Sequence, residues 1–289
     1  MDWELLRDAV IAGLLLGGFY AAVSLGLAIA FGLLDVPHIA HPAFVVAGGY
    51  AVFLLNRAGL DPLLAGVLLM PVFFVIGLAV HRFYHATFER RGSDAGLRGL
   101  AFFFGLAFVV EVGLILAFGV DQRLVQAPYI GKSLRFGDVR LPMRLVVSSG
   151  AALAAAALLS LYLSRTYTGR AIKAVAQDEV ALAMLGADPV RIKRWAFGIA
   201  TATVSLSGAL LAIVGPIEPG LGRLYIGKIF AIVVVAGLGS LPGTLIASFL
   251  LGVVESVVLT TVGTSWAPAT AFAILLATLA LRPAGLFGR

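Results

Sequence analysis

Phe102–Gly119 reads FFFGLAFVVEVGLILAFG, and a single acid, Glu111, interrupts its apolar side chains. Taken as the run Leu100–Phe118, it is long enough to cross the ~30 Å hydrocarbon core of a bilayer as a helix rising about 1.5 Å per residue. Similar runs recur on both sides of it: Ala9–Leu34, Ala43–Leu55, Leu63–Val80, Leu145–Leu163, Trp195–Val214, Ile229–Leu238, Thr244–Val262 and Ala267–Leu281. Ala43–Leu55 and Ile229–Leu238 are too short to cross alone. The expectation is an all-α integral membrane protein, a polytopic bundle of about eight transmembrane helices with broken or re-entrant segments at those two places.

The composition agrees. Of 289 residues, 61% are hydrophobic and 12% charged, where soluble domains carry about 25% charge. Mean hydropathy is +1.03. One water-soluble core cannot hide so much apolar side chain, whereas in a bilayer each span meets lipid or another span. Cysteine is absent, which excludes a disulfide framework, a thiolate nucleophile and a Cys-based metal site. The net charge of +6 sits in short loops between apolar runs, where it orients spans and needs no nucleic acid to explain it.

Orientation follows from the same loops. With the N-terminus outside, more than half of the 21 Lys and Arg fall in inside segments, among them HATFERRGSD at His85–Asp94. The expected arrangement is N-terminus outside, C-terminus inside. Asp2, Glu4 and Asp8 against Arg7 reverse the basic start of a signal peptide, so the first run reads as a retained span. No polar stretch is long enough for an independent core. The chain reads as one transmembrane unit, 1–289, with a cytoplasmic loop at 165–194.

Local punctuation supports these limits. Asp61-Pro62 and Asp188-Pro189 each place an N-cap acid before a proline at the first helical position. Gly13 with Gly17, and Gly239 with Gly243, have the spacing that lets helices approach closely in lipid.

Three segments stand out. FGLLDVPHIAHPAFVVAGGY, Phe31–Tyr50, sets Asp35, Pro37, His38, His41 and Pro42 between two apolar runs. It reads either as a tight turn at the inner surface or as a broken helix lining a solute path. VVVAGLGSLPGTLIASFLLG, Val233–Gly252, carries Gly237, Gly239, Ser240, Pro242 and Gly243 at a roughly mirrored place in the chain. SRTYTGRAIKAVAQDEVALAMLGADPVRIKRWAF, Ser164–Phe197, predicts a short helix from Glu179 to Leu185, capped by Asp178 and stopped by a left-handed Gly186. With Val180, Met184 and Leu185 facing the cytosol, that helix either lies on lipid or docks into a groove of another protein.

Two acids lie inside apolar runs. Glu111 reads as path-lining or as a structural hydrogen bond, and Glu255, near a helix end, as structural. His81 and His85, spaced i,i+4, read as side chains snorkelling at the lipid surface rather than as metal ligands. No H-E-x-x-H, nucleophile elbow or phosphate loop occurs. The chain therefore does not read as an enzyme, nor as an ATP hydrolase in its own right.

In this order the three segments resemble the permeases of branched-chain amino acid ABC importers, with similarity from Gly13 to the terminal RPAGLFGR. That family shows Asn-x-Ala-His-Gly and then Gly-Ala-Tyr; here stand His38, Ala40, His41 and Pro42, then Gly48-Gly49-Tyr50. Its RAVAQD…LGI…RV…AF pattern is matched by Arg170 to Phe197, and its Gly-Gly-x-Gly-Ser-x-x-Gly by Ala236 to Gly243. His38 replaces the family's Asn, Pro42 its Gly, and Glu111 falls where relatives often carry Gln or another polar residue.

The resemblance implies a type II-like permease in the bacterial inner membrane. It would pair with a second, homologous permease, two cytoplasmic ATPases that bind ATP and Mg, and an extracytoplasmic solute-binding protein. No cofactor is implied for this chain itself. It also implies a path lined by Ser24, His38, His41, Pro42, Glu111, Gly237 and Gly239. The coupling segment would comprise Asp178, Glu179, Val180, Met184, Leu185, Gly186 and Arg191. Relatives move leucine-like amino acids, urea, short amides and aromatic acids. The competing readings are a stand-alone secondary transporter or channel and, less favoured for want of an acid–base or metal cluster, a membrane-embedded enzyme.

Overall fold

The computed structural model describes residues 3–89, 95–136 and 139–288; Arg90 and Arg91 of the basic loop lie outside them. The described chain runs α1 (Trp3–Ala30), α2 (His41–Arg57), α3 (Pro62–Leu68), α4 (Met70–Thr87), α5 (Ala95–Phe118), β1 (Ser133–Phe136), β2 (Val139–Pro142), α6 (Met143–Arg165), α7 (Tyr167–Val175), α8 (Glu179–Met184), α9 (Pro189–Val214), α10 (Leu221–Ala236), α11 (Leu241–Thr261) and α12 (Ala267–Leu281). Among the described residues, α1, α5, α6, α9 and α11 are long and apolar enough to cross a membrane. A sixth candidate is α2 with α3, a pair bent by 119°. The protein is a multi-pass, helical membrane protein.

α1 and α9 form the centre. Within its apolar stretch α9 is 78% buried, whereas α5 is 11% buried and presents Phe104, Phe108 and Leu116 outward, as a lipid-facing helix should. Small residues allow the inner helices to touch. A Cβ on Gly252 of α11 would lie 2.5 Å from the Gly13 carbonyl oxygen and the Gly17 nitrogen of α1. Ser207 of α9 donates to the Ala22 carbonyl of α1 at 2.9 Å.

The capping acids behave as their spacing predicts. Asp61 accepts from the Leu63 N–H at 2.9 Å, and Asp188 from the Arg191 N–H at 3.2 Å. At one end of the bundle the α2 terminus, the 119–132 loop and the start of the 215–220 loop are tied together. Asn56 exchanges hydrogen bonds with the Gln126 backbone, and Arg123 forms a two-bond bridge with Ile217. β1 and β2 pair antiparallel beside that loop.

Several boundaries differ from the hydropathy reading; the Leu63–Val80 run, for one, is split at Leu69 into α3 and α4. The first apolar run stops being helical at Ala30, and Asp35, with φ of 54°, turns the chain back. The Ile229–Leu238 run belongs to the longer helix α10, which starts at Leu221 and contains Arg223 and Lys228. Hydropathy counts those cations as loop; in the structure each has a carboxylate partner, so the helix continues through them.

Candidate functional site

The break at 31–40 does not run along a flat surface. Its backbone climbs back into the bundle: the Val36 N–H donates to the Ala30 carbonyl and the His41 N–H to the His38 carbonyl, both at 3.0 Å. Pro42 then starts α2, where its missing N–H is no loss. His41 is fully buried, its Nε2 3.0 Å from the Val23 carbonyl oxygen of α1. Gly26 leaves the space this ring occupies, since a Cβ there would lie 2.5 Å from His41 Cε1. His38 is also buried, boxed by Phe44, Phe103 and Phe197 with ring centroids 4.7–5.7 Å away.

His38 differs from His41 in having no hydrogen-bond partner at either ring nitrogen. It lines a cavity of about 590 Å³ with Asp35, Pro37 and Pro42 from the break, Leu100 from α5 and Phe230 from α10. Most of that wall is apolar, and Asp35 and His38 are its ionisable lining residues. Ser24, buried with its hydroxyl unpartnered, lies outside this lining.

The second break meets the first. A Cβ on Gly32 would lie 2.5 Å from the Gly239 nitrogen, so the two interruptions touch. Gly237 and Gly239 hold φ of 89° and 83°, which only glycine adopts without strain. Ser240 then caps α11 by accepting from the Gly243 N–H. The C-terminal tail closes α10 from below: Leu286 and Phe287 donate backbone N–H groups to the Val235 and Ala236 carbonyls at 2.8 and 3.1 Å. Gly237 is therefore packed under the tail, with the Gly288 backbone against it. Gly239 instead lines a more polar cavity of about 540 Å³ with Ser160, Lys173, Gln177 and Ser240.

Both intramembrane acids have cations. Glu111 of α5 meets Arg223 of α10 at 2.5 Å. Glu255 of α11 meets Lys228 of α10 at 2.5 Å and accepts from Tyr20 of α1 at 2.8 Å. Lys228 also reaches the Tyr20 hydroxyl at 3.3 Å and lies over the Tyr20 and Tyr225 rings. Lys228, Tyr20 and Arg223 are residues that the sequence reading passed over. The signal available was the presence of two uncompensated acids, which in a membrane calls for two cations on facing helices.

At the end of the bundle near the second break, Asp178 accepts from the Ala181 N–H at 2.8 Å, and Gly186, at φ of 84°, stops α8. Val180, Met184 and Leu185 are 68%, 84% and 84% exposed, so the short helix shows an apolar face with nothing against it. Arg191 lies one turn into α9 beside Tyr167 and Trp195. Glu179 reaches back to Lys193 of α9 at 2.5 Å, and Lys193 to Glu89 at 3.3 Å. Burial pushes the Glu89 carboxyl up, but His85, 2.6 Å away, and the Lys193 charge outweigh it and hold the group below the usual carboxylate range.

One histidine is placed otherwise than expected. His81 is fully buried against Tyr84 and Phe197 rather than at the lipid surface, because α4 turns that face towards α9. Among the described residues no group of three His, Cys, Asp or Glu could hold a metal ion.

Relatives align with this chain over nearly its whole length. The permease component of the branched-chain amino acid transport system, as a family model, matches residues 9–280. The high-affinity branched-chain amino acid transport system permease protein BraD of Pseudomonas aeruginosa is 28% identical, with 97% of this chain and 95% of that protein covered. The corresponding LivH of Escherichia coli is 27% identical, with 96% and 94% covered. A probable branched-chain amino acid transport permease protein LivH of Methanocaldococcus jannaschii is 26% identical, with 92% and 87% covered. No solved structure matches. With both helix breaks, the paired acids and the exposed capped helix all inside the matched residues, the chain belongs to the family of branched-chain amino acid transport system permease components.

Proposed function

We propose that this chain is one of two permease subunits of an ATP-binding cassette importer of the bacterial inner membrane. The solute is small and polar, a branched-chain amino acid or a related amino acid, amide or organic acid. The observation that carries the reading is α8: capped at both ends, apolar, exposed, and beside the second helix break. An apolar face of that kind in water seeks a groove on a partner, and the partner proposed is one of two cytoplasmic ATPases. ATP and Mg bind there. A homologous second permease completes the transmembrane pair, and an extracytoplasmic binding protein delivers the solute.

In this reading the shorter α2, α4, α10 and α12 cross the membrane along with the five long helices, which would make nine crossing segments among the described residues against the expected eight or so. An odd number sets the termini on opposite sides, in keeping with an N-terminus outside. ATP binding closes the ATPase pair and moves α8, and the permease pair then exchanges outward for inward access. Linkage requires these states to differ in affinity for ATP and for loaded binding protein. Solute passes the cavity that His38 helps to wall, and its imidazole, buried with both nitrogens unpartnered, can offer a donor and an acceptor once that wall moves. A stand-alone secondary transporter would need a free titratable relay, and both intramembrane acids are instead held in ion pairs.

Gly186→Pro tests the handle. Proline fixes φ near −65° and cannot adopt the +84° of this cap. Solute-stimulated ATP hydrolysis by the assembled complex is expected to disappear while membrane insertion stays intact. Normal stimulation would reject the reading.

Glu111→Gln tests the path. Arg223 is 71% exposed at its side chain, so loss of the carboxylate leaves no cation buried inside the bundle, and assembly should hardly change. Uptake kinetics are expected to shift by about three- to tenfold, roughly 0.7–1.4 kcal/mol. Unchanged kinetics would assign Glu111 to packing.

A further inference from the structure

Little holds α8 to the rest of the protein. It is six residues long, none of them buried, and flanked by the extended Asp178 and the left-handed Gly186, two natural hinges. A partner pushing on such a segment would bend the hinges before it moved a transmembrane helix. Among the described residues, the side-chain ion pair from α8 to the bundle is Glu179 to Lys193 at 2.5 Å.

Lys193 is not an ordinary surface lysine. Its side chain is 13% exposed, and its ammonium sits between two carboxylates on different segments: Glu179 at the start of α8, and Glu89 just past α4 at 3.3 Å. Glu89 in turn lies 2.6 Å from His85 of α4. Without the cation, the two carboxylates of this junction would lose their shared counter-charge.

The contacts continue inward. The His85 ring stacks on His81, with centroids 6.3 Å apart and 6° between planes. His81 packs on Phe197 at 5.5 Å, and Phe197 on His38 at 4.7 Å, at the cavity wall. Lys193 and Phe197 are four residues apart on α9 and so share one helix face.

We infer that Lys193 is a positioning residue that makes α8, the start of α9 and the end of α4 a single body. Displacement of α8 then reaches the His38 wall of the cavity instead of being absorbed at Asp178 and Gly186. The inference rests on the ATPase-driven reading for what pushes α8, but the strut itself has a readout that does not depend on it.

The chain contains no cysteine, so Ala86→Cys on α4 and Met184→Cys on α8 can carry a pair of spin labels without further changes. In the full chain a narrow distance distribution is expected, broadening when Lys193→Ala is added and narrowing again with Lys193→Arg. In the reconstituted complex, with companion permease, ATPases and binding protein, Lys193→Ala is expected to lower solute stimulation of ATP hydrolysis and solute uptake together, about tenfold. Lys193→Arg should retain most of both. An unbroadened distribution, or stimulation within about twofold of the unsubstituted complex, would overturn the strut. Broadening in a complex whose unsubstituted form shows no ATP-driven uptake would uphold the strut and refute the importer reading instead.

Discussion

Lys228→Ala is expected to cost the protein about 3–5 kcal/mol, because it leaves Glu255 without its counter-charge inside the bundle. Glu255 is 6% exposed, and its remaining partner would be the Tyr20 hydroxyl at 2.8 Å. The pair joins three helices: Lys228 on α10, Glu255 on α11 and Tyr20 on α1. Its rupture therefore removes the polar tie between α10 and both neighbours. The double variant Lys228→Met with Glu255→Leu removes both charges, and it is expected to recover most of what either single change loses. Thermal unfolding of the detergent-solubilised protein reads both effects. A double variant no more stable than Lys228→Ala would show that the lost packing of the lysine stem, rather than the orphaned charge, sets the cost.

The second large effect concerns the α1–α11 seam. A Cβ on Gly252 meets the Gly13 carbonyl oxygen, the Gly17 nitrogen and the Gly17 Cα at 2.5–2.6 Å. These are backbone atoms on a buried helix and cannot swing aside, so even Gly252→Ala must separate two helices along their contact. Overpacking of this kind costs about 1–3 kcal/mol and sometimes more, and Gly252→Leu is expected to abolish the folded protein. Gly105 and Gly113 on α5 supply the control, since a Cβ there meets nothing within 4 Å. Alanine at either position should be neutral or stabilising by up to about 1 kcal/mol through helix propensity. Equal tolerance of alanine at Gly252 and at Gly113, measured as the midpoint of thermal unfolding, would show that the seam is looser than its geometry implies.

The two predictions also separate what could be read along the chain from what could not. The Gly13–Gly17 spacing marked a close approach, but nothing in it named Gly252 as the opposite surface. Lys228 was harder. Hydropathy adds a cation as a penalty at its own position, and the pairing that cancels the penalty lies 27 residues away. The same blindness started α10 too late, at Ile229 instead of Leu221, and put His81 at the lipid surface. In a soluble helix the polar stripe tells which face is inside. Here lipid and core are both apolar, so no polar stripe marks α5 as facing lipid and α9 as the hub of the bundle.

What the sequence determined by itself is local: the membrane class, the breaks around Pro37 and Gly239, and the caps at Asp61, Asp178 and Asp188. Each follows from chemistry within a few residues, namely a missing N–H, a φ only glycine accepts, or an oxygen in reach of the next turn. The tertiary structure alone decided that the two breaks touch at Gly32 and Gly239, that the tail plugs the end of α10, and that His38 keeps both nitrogens free beside a cavity. Those outcomes depend on which helix faces which, and in a bilayer that choice is made by small residues and paired charges meeting across the bundle, not by any periodicity a single segment carries.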